Sequence, residues 1–120
     1  MVDLRTHYMG LVLDNPLIVA SSGLTGSPEG VEKAAAAGAG AVVLKSLSEE
    51  QILAEVGKES EGIDLDAHPE AEAFISRTAW EEGSDAYLSL VRDSKQRAGK
   101  TPLIASINCV GSGNWASFAS

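Results

Sequence analysis

Three short apolar runs divide the chain, and each has the length of a β-strand. They occupy residues 17–20, 41–44 and 103–107. Because these runs do not alternate between apolar and polar positions, they are typical of strands buried on both faces of a parallel sheet. The pattern predicts three parallel strands, adjacent in chain order, with helices on one face of the sheet.

The segment before the first strand predicts a hairpin. Residues 4–8 and 11–13 are mostly apolar or β-forming, and they flank Met9-Gly10, which suits a tight turn. Asn15-Pro16 then marks a second turn, directly before the first strand of the predicted sheet.

Capping residues predict a helix between the first two strands. Ser27 can cap a helix that begins at Pro28, and Gly38 can end it. A strand, a helix and a second strand then follow within about 30 residues, which is the length of a right-handed βαβ unit.

Two further helices are predicted between the second and third strands. One covers residues 49–56, with Ile52, Leu53 and Val56 on one side. The other covers residues 85–98, with Tyr87, Leu88 and Val91 facing inward. Residues 57–77 are rich in acids and show no clear period, so we expect a long loop there. The alternation of strands and helices indicates an α/β fold with a parallel sheet.

Composition narrows the possible partners and compartment. The chain has 120 residues and a net charge of −8, and no basic stripe is present, which argues against nucleic acid and anionic membranes as partners. Its single cysteine excludes an internal disulfide and fits a reducing compartment. With no apolar run near 18 residues and no signal peptide, the sequence predicts a cytoplasmic protein.

Small and polar residues follow each apolar run, where parallel-strand proteins place their sites. These strand ends are Ser21-Ser22-Gly23, Lys45-Ser46 and Asn108-Cys109. A lysine at a strand end must reach solvent or pair with an anion or an electron-rich ligand. We therefore expect Ser22, Lys45 and Asn108 to gather at one edge of the sheet, although the serines also suit plain turn chemistry and Lys45 a surface charge.

These motifs resemble a known family. Residues 14–23, DNPLIVASSG, and residues 37–46, AGAGAVVLKS, resemble the start of a dihydroorotate dehydrogenase. Residues 104–109, IASINC, followed by Trp115, are similar to the third strand of the dihydropyrimidine dehydrogenase branch and of dihydroorotate dehydrogenase-like proteins. The motifs occur in order and with matching spacing, and the resemblance covers most of the chain.

The resemblance implies a (β/α)8 TIM barrel that holds FMN at the carboxyl ends of its strands and oxidises or reduces a CH–CH bond of a dihydropyrimidine, as in pyrimidine metabolism. By matching position it implies cofactor-binding roles for Ser21, Ser22, Gly23, Lys45, Ser46 and Asn108. Lys45 would lie near the flavin ring and stabilise negative charge on the reduced N1–C2 region.

The resemblance also implies that this chain is the N-terminal portion of such a barrel, since a complete one needs about 250 residues. The family's catalytic base lies beyond the fourth strand, so no catalytic residue is assigned here, and Cys109 is expected to be a buried structural thiol. The family's substrate-loop asparagine has no counterpart in residues 64–80. We expect residues 1–120 to form one incomplete domain, inactive alone, that forms homo-oligomers or associates through an exposed sheet edge.

Other interpretations remain open from the sequence. The chain could be a small, non-catalytic α/β module for binding or assembly. It could also be another barrel or Rossmann-type fragment that binds phosphate at the Gly111-Ser112-Gly113 turn, which lacks the third glycine of a dinucleotide fingerprint. The acids and histidine of one segment could suggest a metal site, although a solvated acidic loop is favoured and no metal is assigned. That segment contains Asp64, Asp66, His68, Glu70 and Glu72.

Overall fold

A computed structural model describes residues 1–59, 61–62, 69–111 and 115–120. The chain forms a mixed α/β fold with a short antiparallel hairpin and small parallel sheets. The strands are β1 Thr6–Tyr8, β2 Leu11–Leu13, β3 Ile18–Val19, β4 Ala41–Val43, β5 Leu47–Ser48, β6 Leu103–Ile104 and β7 Ile107–Asn108. The helices are α1 Pro28–Ala36, α2 Glu49–Glu59, α3 Pro69–Ala98 and α4 Trp115–Ala119, with a 3-10 turn at Gly23–Thr25.

Two compact units share these elements. The first contains residues 1–46 and 89–106, and the second contains residues 47–88 and 107–120. The hairpin and the largest sheet belong to the first unit, and the paired strands β5 and β7 belong to the second.

The predicted hairpin is confirmed. Strands β1 and β2 pair antiparallel, and the two turn residues, Met9 and Gly10, both have positive φ values of 50° and 76°. Two positive φ angles in a two-residue turn match the right-handed twist of the strands that the turn joins. Leu13 at the end of β2 is buried.

The largest sheet has the predicted strand order and direction. Strands β3, β4 and β6 are adjacent in that order and parallel, with Val19 opposite Val42 and Val42 opposite Leu103. Paired residues lie on the same face of the sheet. Helices α1 and α3 both pack against the face that carries Val19, Val42 and Leu103. The buried core of the face consists of Val31, Val42, Leu44 and Ala98, and around it pack Val19, Ala34, Ala39, Val91 and Leu103.

The first helix begins and ends as its capping residues predict. Ser27 Oγ accepts a hydrogen bond from the Gly30 backbone N–H at 3.2 Å, and Pro28 occupies the first helical position. Gly38 follows the helix with a φ of +92°, a left-handed conformation that favours glycine.

The loop predicted for residues 57–77 is wrong at residues 57–59 and 69–77, which are helical, while residues 60 and 63–68 lie outside the described residues. Helix α2 continues to residue 59, and the final predicted helix extends back to Pro69, so that α3 has 30 residues. Pro69 suits the first turn, where Glu70 and Glu72 complement the helix dipole. Weak hydrophobic periodicity concealed the part of this helix before residue 85, because most of that part does not face a core.

The buried sides of α2 and α3 match the prediction in part. Ile52 is buried and Val91 packs against the core of the sheet, whereas Leu53 and Leu88 are about half exposed, at 47% and 58%. An added Cβ on Gly83 would lie 3.1 Å from Ile52 Cδ1, so the glycine of α3 gives Ile52 its space. A small residue of α3 thus marks a contact of Ile52 that the sequence did not predict.

The third apolar run is two strands and not one. Residues 103–104 pair with β4, whereas residues 107–108 pair in parallel with β5. The N–H of Leu44 donates to the Ile104 carbonyl at 2.9 Å, and the next two N–H groups of the chain both donate to the loop after β3: Lys45 N–H to the Thr25 carbonyl at 3.1 Å, and Ser46 N–H to Ser21 Oγ at 3.2 Å. The predicted strand at 103–107 is corrected accordingly.

None of the helices in the described ranges combines the length and the apolar character that crossing a bilayer requires.

Candidate functional site

Three serine hydroxyls meet where β3, β4 and β6 end. Ser21 Oγ lies 3.3 Å from Ser46 Oγ, and Ser46 Oγ lies 2.6 Å from Ser106 Oγ. Parallel strands bring their carboxyl ends to one edge of a sheet, so residues distant in the chain gather there. Ser21 and Ser46 were predicted site residues, whereas Ser106 was missed because it lay inside the run assigned to a strand.

A buried threonine fixes the loop that carries the first of these serines. Thr25 is fully buried, and its Oγ1 accepts from the Ser22 N–H at 3.1 Å and donates to the Ser22 carbonyl at 3.2 Å. Its own carbonyl accepts the Lys45 N–H. Thr25 therefore ties the loop after β3 to the end of β4.

Ser22 and Gly23 form the turn itself. Ser22 Oγ accepts the Leu24 N–H at 3.3 Å, so this side chain caps the short 3-10 turn that Gly23 begins. Among the described residues, nothing lies within 4 Å of a Cβ built on Gly23. The Ser22 hydroxyl therefore has a structural use, and the space beside Gly23 is open.

Lys45 is exposed at the same edge, and its aliphatic chain lies close to a glycine. A Cβ added to Gly26 would be 3.2 Å from Lys45 Cδ and 3.7 Å from Lys45 Cβ. Gly26 thus leaves room for the lysine chain beside the loop after β3. Sequence reasoning missed Gly26, since a glycine in a turn has many explanations.

Asn108 belongs to the second unit. It ends β7, lies opposite Ser48 of β5, and is exposed. The predicted gathering is therefore found for Ser22 and Lys45, which lie at one edge of the first unit's sheet, and stays a prediction for Asn108.

A buried carboxylate, also missed from the sequence, follows β5. Glu49 is only 5% exposed, and its Oε2 accepts the backbone N–H groups of Val110 and of Gly111, the latter at 3.0 Å. The Gly111 N–H is thus bonded to a side chain of this protein, which weakens the interpretation of this turn as a phosphate site. Residues 112–114 of that turn lie outside the described residues.

Cys109 is a buried thiol beside this carboxylate. Burial raises the pKa of Cys109 above its ordinary value, and the negative charge of Glu49 raises it further. A thiol with a raised pKa is a poor nucleophile at neutral pH. This environment suits the structural role expected for Cys109.

The segment that could suggest a metal lies mostly outside the described residues, since it includes Asp64, Asp66 and His68. Within the described ranges, no three histidine, cysteine, aspartate or glutamate side chains gather closely enough to hold a metal ion.

The two motifs of the resemblance contact each other. Asn15 Nδ2 donates to the Gly38 carbonyl at 2.8 Å, and Asn15 Oδ1 accepts the Leu17 N–H at 3.0 Å. A Cβ on Gly40 would lie 2.0 Å from the Asn15 carbonyl oxygen, so only glycine fits there without backbone movement. The spacing of Asn-Pro and Ala-Gly-Ala-Gly therefore reflects one packing contact.

Comparisons with protein-family models, with curated proteins and with solved structures give no match to this chain.

Proposed function

We propose that this chain is the N-terminal portion of an FMN-dependent, dihydroorotate dehydrogenase-like oxidoreductase with a (β/α)8 barrel fold. The observation that carries the proposal is the meeting of Ser21, Ser46 and Ser106 at the carboxyl edge of the sheet, with Lys45 beside them. Barrel enzymes build their sites at this edge. The order of hairpin and parallel strands, together with the sequence resemblance, supports the same conclusion.

The first unit has features that fit a flavin. The loop after β3 offers small side chains and open space at Gly23, which lets a planar ring approach the backbone. Ser21 and Ser46 supply hydroxyl groups that can both donate and accept hydrogen bonds. Lys45 is exposed and can bring a cation to the ring, while Ser22 is used mainly to hold the turn.

In the proposed reaction, bound FMN supplies a hydride acceptor or donor for a CH–CH bond of a dihydropyrimidine-type substrate. Lys45 stabilises the negative charge that the reduced ring carries near N1 and C2. Asn108 contributes a side-chain amide that can hydrogen-bond the ring. A base outside residues 1–120 transfers the proton at the substrate, so no residue of this chain is given that role.

The decisive experiment uses the protein from the complete reading frame, purified without added flavin. We expect it to be yellow and to bind FMN, because the resemblance extends over most of this chain. Lys45→Met should weaken FMN binding by roughly 10-fold or more, since a charge-assisted contact is worth about 1.5–3 kcal/mol.

Lys33→Met is the matched control, because Lys33 is exposed on α1 and should leave FMN affinity unchanged. A colourless complete protein that binds no FMN at micromolar concentrations would contradict the proposal. That result would favour a non-catalytic α/β module for binding or assembly.

The 120-residue chain by itself should bind FMN weakly and show little dehydrogenase activity. The phosphate loops after strands seven and eight of a barrel normally hold the cofactor's phosphate, and a general base contributes roughly 10²–10⁴-fold to the rate. We also propose that the chain associates with itself, since β6 has no strand partner beyond β4 within the described residues. Light scattering combined with FMN titration tests both statements: a monomer with micromolar affinity and turnover would refute them.

A further inference from the structure

A buried polar contact in the second unit involves a side chain with no role in the proposed function. Glu49 is 5% exposed, and a single oxygen of it, Oε2, accepts both the Val110 and the Gly111 N–H. Burying a carboxylate is unfavourable unless strong hydrogen bonds replace its water. Two consecutive backbone N–H groups directed at one oxygen provide such bonds.

This arrangement has the chemistry of an anion-binding turn. Successive backbone N–H groups that point to one place bind phosphates and carboxylates in many proteins. Here the anion is supplied by the chain itself, because Glu49 reaches the turn from the start of α2. Glu49 precedes Val110 by 61 residues and Gly111 by 62 residues. The contact therefore fixes the turn against a distant part of the chain and not against its own neighbours.

The same contact lies directly beside Asn108. Parallel pairing places Ser48 opposite Asn108, and Glu49 is the next residue after Ser48. The backbone of Asn108 is therefore held on one side by the β5–β7 pairing and on the other by the turn at Val110 and Gly111. Asn108 remains exposed between these two attachments, with the buried Cys109 after it.

We propose that Glu49 is a positioning residue, and that its carboxylate is the built-in anion that holds the turn after β7 and thereby fixes Asn108. The effect on the turn stands by itself. The effect on cofactor binding rests on the proposed function, in which Asn108 contacts FMN.

The test removes the Glu49 carboxylate by mutation and then supplies a small carboxylate, formate, from solution. In Glu49→Ala, the backbone amide resonances of Val110 and Gly111 should move strongly upfield, since their charged acceptor is gone. The Asn108 resonances should shift or broaden with them. Added formate should fill the space, accept the two N–H groups and restore these resonances, and Glu49→Gln should give a partial effect with an intact fold.

Glu50→Ala is the matched control, because Glu50 is exposed in the same first turn of α2 and should leave all of these resonances in place. Unchanged Asn108 resonances in both Glu49 variants would overturn the proposal, as would shifts that formate fails to reverse while the fold is intact. This readout needs no flavin, so it decides the role of Glu49 even if the proposed function is wrong.

The cofactor readout is separate. In the complete protein, Glu49→Ala should weaken FMN binding by roughly 10-fold, comparable to the loss of other residues that orient a binding group, and formate should recover the affinity. A wild-type protein that binds no FMN contradicts the proposed function. A wild-type protein that binds FMN, with Glu49→Ala binding equally well, contradicts the link between Glu49 and the cofactor site.

Discussion

Ser46 Oγ lies 2.6 Å from Ser106 Oγ, and this hydrogen bond joins positions 60 residues apart. The same Ser46 hydroxyl is 3.3 Å from Ser21 Oγ, which is 25 positions away. Ser46 is therefore the middle member of a chain of hydroxyls that links the ends of three strands. Its loss removes both of these hydrogen bonds.

We expect the Ser46 and Ser106 hydroxyls to be energetically coupled. Since a hydrogen bond contributes about 1 kcal/mol net, Ser46→Ala should lower the free energy of unfolding by about 2 kcal/mol and Ser106→Ala by at least about 1 kcal/mol. The double variant should lose less than the sum of the two, because the variants share a bond. Urea unfolding monitored by circular dichroism measures all three values, and additive losses would show that the two hydroxyls do not interact.

Gly40→Ala should be strongly destabilising. Its Cβ would lie 2.0 Å from the Asn15 carbonyl oxygen, and this contact can be relieved only by moving the backbone. We expect a loss of about 2–4 kcal/mol, in the range of overpacked core positions and strained backbone. Thermal unfolding gives the measurement.

Gly57→Ala is the control for this substitution, because Gly57 lies in α2 and an added Cβ meets nothing within 4 Å among the described residues. It should raise stability by about 0.5–1 kcal/mol, as expected for replacing glycine inside a helix. Equal effects of the two substitutions would contradict the proposed role of Gly40.

Ser94→Ala should stabilise the protein. Ser94 is fully buried in α3, and its Oγ has no hydrogen-bond partner in the described part of the chain. Removing a buried hydroxyl without a partner relieves a desolvation penalty of about 1–3 kcal/mol. The exposed Ser89 of the same helix serves as control, since Ser89→Ala changes only the helix propensity. A larger gain in midpoint denaturant concentration for Ser94→Ala than for Ser89→Ala is the expected result, and a loss would contradict it.

Cys109 should make stability fall at high pH. Burial and the charge of Glu49 raise its pKa above the ordinary value of 9.0, so the folded protein keeps the thiol proton after the unfolded chain has lost it. The free energy of unfolding should therefore decrease as the pH rises above that value. Urea unfolding at about pH 8 and about pH 10 measures the decrease, which should be smaller in Cys109→Ala.

The same environment should protect the thiol from alkylation. Iodoacetamide reacts with the thiolate, so Cys109 should react more slowly in the folded protein than in urea at neutral pH. Rapid reaction in the folded state, at the rate of a free cysteine, would show that the thiol is not buried and that its pKa is not raised.

Local signals made much of the first unit predictable. The caps of α1, the turn at Met9-Gly10 and the order of the parallel strands follow from residues that act on their immediate neighbours. The site residues after β3 and β4 follow from the rule that strand ends are polar. That rule requires no knowledge of which residues meet.

The missed features depend on distant partners. Ser106 and Glu49 are ordinary serine and glutamate residues until the fold brings each to a group about 60 positions away. Glycine suits positions 26 and 40 because an added Cβ would lie close to a distant atom, Lys45 Cδ for Gly26 and the Asn15 carbonyl oxygen for Gly40. The part of α3 before residue 85 was missed for a related reason, since a helix with little buried surface leaves a weak periodic signal.

The contact between Asn15 and Gly38 has a consequence for the order in which the protein assembles. These residues are 23 positions apart, whereas Ser46 and Ser106 are 60 positions apart. Closing a longer loop costs more chain entropy, and contacts distant in sequence form more slowly. Strands β3 and β4 with α1 should therefore form first, and β6 should join their sheet last. The amides of Val42 and Leu44 donate to the Pro102 and Ile104 carbonyls, whereas the Gly40 amide donates to the Leu17 carbonyl. In pulse-labelled hydrogen exchange, the Val42 and Leu44 amides should therefore become protected after the Gly40 amide.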